Sequence, residues 1–175
     1  MKNEPGILVL ILISLASVVL VSLAIWRLRA SFSSPIERVH LDFEEVERTG
    51  KPNDYLVCPP GYCGSVADEA SPVFDIPVLE LKEEWLALVS EQPRTKGLSN
   101  PEGLQLVFEQ RSWLLNFPDT ITVRFYALGE LRSTIAVYSR SHYGYSDLNV
   151  NRKRVKAWLL ELKQRVSNKG ALPKA

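Results

Sequence analysis

The sequence predicts an α+β protein: an N-terminal transmembrane helix, then a two-layer domain in which a three-stranded antiparallel meander is covered by two amphipathic helices. Three observations predict it. Residues 6–26 carry no charge, three runs of alternating apolar and polar residues lie between Leu104 and Ser139, and two segments repeat apolar residues at helical spacing. A chain of 175 residues, less a membrane segment, leaves room for one folded domain. The expected divisions are a transmembrane anchor with a short N-terminal tail over 1–30, a connector over 31–52, a soluble α+β domain over 53–166 and a mobile tail over 167–175.

The anchor is GILVLILISLASVVLVSLAIW, from Gly6 to Trp26. Roughly 20 apolar residues, each rising about 1.5 Å, cross the roughly 30 Å hydrocarbon layer of a bilayer. The hydroxyls of Ser14, Ser17 and Ser22 can bond a carbonyl one turn back, and the Trp26 indole suits the headgroup level. A cleaved signal peptide would have a shorter apolar run and a prompt small-residue cleavage site; here the run ends in Trp26-Arg27-Leu28-Arg29, a stop-transfer flank. A single-pass protein of the membrane is therefore expected. Its orientation is contested: Arg27, Arg29 and Arg38 outweigh Lys2 and the α-amino group and favour a cytoplasmic domain. Cys58-Pro-Pro-Gly-Tyr-Cys63 holds the chain's two cysteines around a turn that can bring their Cβ atoms to bridging distance, and a disulfide needs an oxidising compartment. The balance is placed on the extracytoplasmic side, with reduced thiols as the alternative. The spacing fits neither a zinc site nor a haem motif, and His40 and His142 are remote, so no metal is expected.

Ser31 to Pro35 reads as a polar connector, and Glu37 to Tyr55 as irregular chain rich in acids. Asn53 to Pro77 is dense in proline and reads as a long loop fixed by its own turns. Pro77 suits a helix start, and Leu81, Trp85, Leu88 and Val89 form one stripe to about Gln92. Leu104, Leu106 and Phe108 then alternate with Gln105, Val107 and Glu109; Ile121, Val123 and Phe125 with Thr122, Arg124 and Tyr126; Ile135 and Val137 with Thr134, Ala136 and Tyr138. The second and third runs meet at Gly129-Glu130, a short hairpin connection. The last helix, from about Asn149 to Val166, turns Val155, Trp158, Leu159, Leu162 and Val166 to one side. Trp113, Leu114, Leu115 and Phe117 make an apolar bulge between the first two strands for which core packing is the leading expectation, ahead of a partner protein or the membrane surface.

Charge is uneven. From Glu37 to Glu84 there are 12 acids against 4 bases, and from Arg94 onward 14 bases against 6 acids, so the two portions attract each other within the fold or present opposite faces.

Polar residues concentrate between the third strand and the last helix: Ser139, Arg140, Ser141, His142, Gly144, Ser146, Asp147, Asn149, Asn151 and Arg152. The segment SRSHYGYSDLNVNRKRV, with the upstream NDYLVCPPGYC and the strand FPDTITVRF, resembles the domain-of-unknown-function family numbered 1499 over about Asn53 to Leu162. That resemblance implies a bacterial protein, often membrane-associated, and brings no activity, cofactor or catalytic residue. By their chemistry, the N–H groups at a helix start with Arg140, Arg152 and Arg154 nearby can hold an anion such as a phosphate or lipid headgroup. Asp147, Asn149 and Asn151 are equally good caps, and Gly144 suits a positive-φ turn. A hydrolase would take His142 as base, Ser139, Ser141 or Ser146 as nucleophile and Asp147 as orienter, but no Gly-x-Ser-x-Gly elbow is present. The expectation is a non-catalytic accessory or binding module in a bacterial inner membrane. Its partners are the lipid bilayer and anionic headgroups or another membrane protein, with no cofactor and no nucleic acid; the hydrolase is the alternative.

Overall fold

The computed structural model describes residues 6–32 and 41–170. The N-terminal tail with Lys2, the part of the connector that holds Arg38 and His40, and the last five residues of the expected tail lie outside the described residues. The uncharged N-terminal run forms one helix, α1 (Ile7–Ser31), whose 25 residues extend about 37 Å at the usual rise. It is long and apolar enough to cross a membrane, and its apolar window is not buried against the rest of the described chain. The hydroxyls of Ser17 and Ser31 donate to Ser14 O (2.7 Å) and Arg27 O (3.0 Å), so they add no unsatisfied polar group.

The remaining elements are β1 (Asp54–Cys58), β2 (Glu69–Ala70), β3 (Val73–Phe74), α2 (Val78–Ser90), β4 (Thr95–Gly97), β5 (Gln105–Arg111), β6 (Pro118–Ala127), β7 (Ser133–Ser141) and α3 (Val150–Gly170). The α+β class is as expected, but the sheet is larger: seven strands in the order β2-β1-β7-β6-β5-β4, with β3 also paired to β7. All its pairings are antiparallel except β1 with β2, so the sheet is mixed. The missed strands have a physical reason. β1 is buried on both sides and shows no alternation, while β2, β3 and β4 are two or three residues long among prolines and glycines.

One face of the sheet carries Tyr55, Val57, Leu106, Phe108, Ile121, Val123, Phe125, Ile135 and Val137 against Leu81, Trp85, Leu88 and Val89 of α2 and Val155, Trp158, Leu159 and Leu162 of α3. Trp85 and Trp158 meet edge to face at 5.8 Å, and the Trp158 indole N–H donates to Gln92 Oε1 at 3.1 Å. The opposite face was expected to meet water. Instead Phe43, Val46, Leu56, Cys58, Ala136 and Tyr138 form a second apolar cluster there, supported by Leu41, Tyr62, Cys63 and Tyr126. The segment expected to be irregular is thus a third layer over half of the sheet. Gly64 is required in it, because a Cβ at that position would lie 2.3 Å from Glu44 O. Cys58 and Cys63 are bonded, with Cα atoms 6.4 Å apart, and close the loop that carries Tyr62 onto the Tyr126 ring at 4.7 Å.

Trp113 and Leu114 do not pack into the core. Ser112 N–H to Phe117 O and Phe117 N–H to Ser112 Oγ, both 2.9 Å, pinch the base of the β5–β6 loop. Phe117 occupies the inner position, and Trp113, 71% exposed, is turned outward at the tip. α3 also runs past Val166 to Gly170, since Ser167, Asn168 and Lys169 contain no helix breaker and Lys169 reaches Glu84 at 2.5 Å. The acidic and basic portions of the chain do meet: Arg124 lies 3.9 Å from Asp42, Lys156 3.3 Å from Glu69 and Lys169 3.6 Å from Glu80. Each exposed pair contributes well under about 1 kcal/mol, so this complementarity orients the layers more than it stabilises them.

A disulfide spanning so short a loop restricts the unfolded chain by about 2 kcal/mol. Reduction of Cys58–Cys63 is therefore expected to lower unfolding stability by about that amount, read by urea denaturation of the detergent-solubilised chain with and without dithiothreitol. Identical midpoints would mean that the third layer holds without its bridge.

The strand-to-helix turn as candidate functional site

The turn between β7 and α3 contains the polar residues singled out from the sequence, and strand alternation divides them. Ser139 and Ser141 face the helices, and Arg140 and His142 face the other way. Asn151, fully buried in the first turn of α3, is the hub on the helix side. Its amide nitrogen lies 3.0 Å from Asn53 O, 3.0 Å from Ser141 Oγ and 2.7 Å from Asp147 Oδ2. Its carbonyl oxygen accepts from Ser139 Oγ and Arg154, each at 2.6 Å. Arg154 continues the network to Asp119 (2.6 Å) and Gln110 Oε1 (2.5 Å), and Ser141 Oγ donates to the other Asp119 oxygen at 2.6 Å. The buried Arg154–Asp119 pair is tolerated because these hydrogen bonds surround it.

Asp147 caps the helix by accepting from Asn149 N (3.0 Å) and Asn151 N (2.7 Å). Ser146 Oγ accepts from Leu148 N at 3.2 Å, and Asn53 Nδ2 donates to Gly144 O at 3.1 Å, with Gly144 at φ +88°. Ser139, Ser141, Ser146, Asp147 and Asn151 are thus occupied by their own neighbours. His142, on the far face, shares a 2.5 Å hydrogen bond with Thr120 and none with a serine. The Ser, His and Asp of a nucleophilic relay are not brought together. Arg140 stands half-buried across from Asp54, and among the described residues no hydrogen bond or ion pair holds its guanidinium.

Beside the start of α3, at the N-terminal end of β1, lies a cleft of about 240 Å³ lined by Arg48, Asp54, Tyr55, Asp68, Asn149 and Arg152 among others. Four of these six were not expected at a site; the signal was Asp54-Tyr55-Leu56-Val57-Cys58, an aromatic and β-branched run hidden among prolines. Asp54 accepts from Arg48 (2.5 Å) and from the Tyr138 hydroxyl (2.8 Å). Asp68 accepts from Leu56 N (2.8 Å) and pairs with Arg48 at 3.0 Å. Tyr55 donates to Glu69 at 2.9 Å; burial and that carboxylate push its hydroxyl up to about 12. Burial and the hydrogen bond to Asp54 raise Tyr138 still further. Both phenols therefore stay protonated at neutral pH. Among the described residues, the cleft donors with no hydrogen bond or ion pair are the Arg152 guanidinium, which lies over the Tyr55 ring at 5.9 Å from its centroid, and the Asn149 amide. Both can donate. Among the described residues no group of three His, Cys, Asp or Glu side chains is placed to hold a metal ion.

Through the α+β domain that carries this turn, the chain belongs to the family described as "Protein of unknown function (DUF1499)", which matches residues 67–162. That span begins after β1, so the Cys58–Cys63 loop and half of the cleft precede it. No curated protein matches the chain. A solved structure similar to it is the di-domain ARO/CYC BexL from the BE-7585A biosynthetic pathway, 12% identical with a TM-score of 0.43 over 55% of this chain and 45% of that one. The chain thus spans less than half of BexL, and a likeness so distant does not bear on function.

Two outcomes follow from the hub. Asn151→Ala removes one hydrogen-bond partner each from Asn53 O, Ser139 Oγ, Ser141 Oγ and Arg154 in a buried site, and is expected to cost about 3 kcal/mol of unfolding free energy. Arg152→Ala, one residue on but solvent-exposed, is expected to change stability by under about 0.5 kcal/mol. Equal effects in urea denaturation would refute the structural assignment of Asn151. For His142, partial desolvation and the Arg140 charge hold the imidazole below its ordinary value. The unfolded state then binds the proton more tightly, so stability is full above the unfolded value of 6.5 and falls as pH drops through the folded one. His142→Gln should flatten that acid limb in a pH series of thermal melts.

Proposed function

We propose that this protein is a membrane-tethered, non-catalytic binding module of a bacterial inner membrane. α1 is its single span, and the β1–α3 cleft receives an anionic, oxygen-rich group of the kind a phosphate headgroup presents. The observation that carries this reading is the distribution of committed and uncommitted groups. In a cleft where each carboxylate already accepts from protein donors, Arg152 and Asn149 are, among the described residues, the side-chain donors left for a guest. Arg152 offers a planar fork suited to two oxygens of one phosphate, and the start of α3 adds a favourable dipole. The Cys58–Cys63 bond supports the extracytoplasmic side, where thiols are oxidised.

The test is titration of the full chain, held in phosphatidylcholine nanodiscs, with glycerol phosphate. Calorimetry is expected to detect binding that Arg152→Glu weakens about tenfold or more, since a charge-assisted pair contributes about 1.5–3 kcal/mol. No uptake by the unmutated chain, or equal uptake by Arg152→Glu, would remove the reading.

A further inference from the structure

The end of α1 contacts the domain directly. Arg29 of α1 donates to Trp113 O at 3.0 Å. The Phe32 ring, immediately after α1, sits edge-on to both Phe117 and Tyr143 with centroids 4.6 Å away. Arg111 extends the junction by donating to the Phe32 and Asn116 carbonyls while gripping Glu109 through Nε (2.6 Å) and a terminal nitrogen (3.0 Å). Glu109 is 1% exposed; burial works to raise its carboxyl, yet Arg111 and Lys96 hold it below the ordinary range, so the pair is charged in a dry place. The domain therefore meets the end of α1 at a defined surface.

That surface carries large apolar side chains turned to solvent. Trp113 and Leu114 lie at the tip of the β5–β6 loop, and Tyr145 and Leu148, 72% and 80% exposed, lie on the β7–α3 turn. Leu148 is presented there by a backbone at φ +55°, a conformation that a leucine seldom adopts and that Ser146 holds by accepting its N–H. Phe117, Tyr143 and Leu148 also line an apolar cleft of about 260 Å³ between the two loops. A monomer seldom leaves such a group of tryptophan, tyrosine and leucine in water without an apolar occupant.

We infer that this rim is a second membrane contact, seated in the headgroup region of the same bilayer that α1 crosses and fixing the domain against the lipid surface. The inference rests on the reading of α1 as a span. The occupant follows from the tether: the α1 terminus that bonds Trp113 is the point at which the chain leaves the lipid, so the rim is held at the interface whatever else the protein binds. Its composition fits that depth. Amphipathic indole and phenol rings partition to the headgroup level, and Trp26, Arg27 and Arg29 mark the same level on α1.

Tryptophan quenching tests this in the reconstituted full chain. Trp85 and Trp158 are buried in the core, so replacing Trp26 by Phe leaves Trp113 as the indole that lipid can reach. In vesicles of phosphatidylcholine brominated near the top of the acyl chains, Trp26→Phe protein is expected to be quenched, and Trp26→Phe/Trp113→Phe protein to lose that quenching. Retention on the vesicles through a density gradient is scored alongside. Protein that floats with the vesicles yet shows no Trp113 quenching overturns the rim contact and leaves the span intact. Protein that does not float overturns the span and the rim together. Shielding of Trp113 from both lipid bromine and aqueous iodide would put a protein on the rim, a second copy or another membrane protein, and would also overturn the proposal.

Discussion

The placement of α3 depends on one buried amide. Asn151 joins the first turn of that helix to the residue before β1 through Asn53 O, to β7 through Ser139 and Ser141, and to β6 through Arg154 and Asp119. Helical stripes alone permit α3 to slide or rotate on an apolar sheet face, since burial is nearly indifferent to small shifts. A satisfied polar network in a low-dielectric site is not indifferent, because each displaced partner leaves a group unbonded. The hub therefore sets where the helix begins, and with it where Asn149 and Arg152 stand relative to β1.

A second buried polar contact does the corresponding work at the other junction. Glu109 lies on the sheet face away from the helices, and its bidentate contact with Arg111 directs that guanidinium toward the carbonyls of Phe32 and Asn116. An apolar pair of the same volume would be at least as stabilising, but it would not aim a guanidinium nitrogen at the carbonyls of Phe32 and Asn116. The charge is kept where direction matters.

Periodicity made the central part of this fold legible. The stripe Leu81, Trp85, Leu88 and Val89 is the buried face of α2, and Val155, Trp158, Leu159 and Leu162 are that of α3. The alternation in β5, β6 and β7 also assigned the correct face to Phe108, Ile121, Val123 and Ile135. What pattern could not reveal was the third layer, because β1 is buried on both sides and the chain that covers its outer face, around Phe43, Val46 and Tyr62, is too irregular to have a period. At the site, the residue types at the β7–α3 turn were visible, while their roles depended on side-chain direction. Ser139 and His142 are three apart in sequence and face opposite sides of the sheet, so nearness along the chain implied a cluster that the backbone does not form. Tyr55 comes to the cleft from β1, and Arg48 and Asp68 from irregular chain on either side of it, where no period marks them.

The turn also connects the two surfaces argued above. Leu148 lines the apolar cleft beside Phe117 and Tyr143, whereas its neighbour Asn149 lines the polar cleft beside Tyr55 and Arg152. Both residues have positive φ, at 55° and 64°, and each such residue costs about 1 kcal/mol or more. Hydrogen bonds from Leu148 N to Ser146 Oγ and from Asn149 N to Asp147 Oδ1 hold them there. A regular extension of α3 by one turn would relieve this strain but would put both side chains on helical positions and close off the division. If Leu148 sits in lipid as proposed, the backbone that carries Asn149 is held from the membrane side as well as by the Asp147 cap. The proposed headgroup contact and the proposed membrane seat thus draw on adjacent residues of one short segment of chain, Leu148 and Asn149.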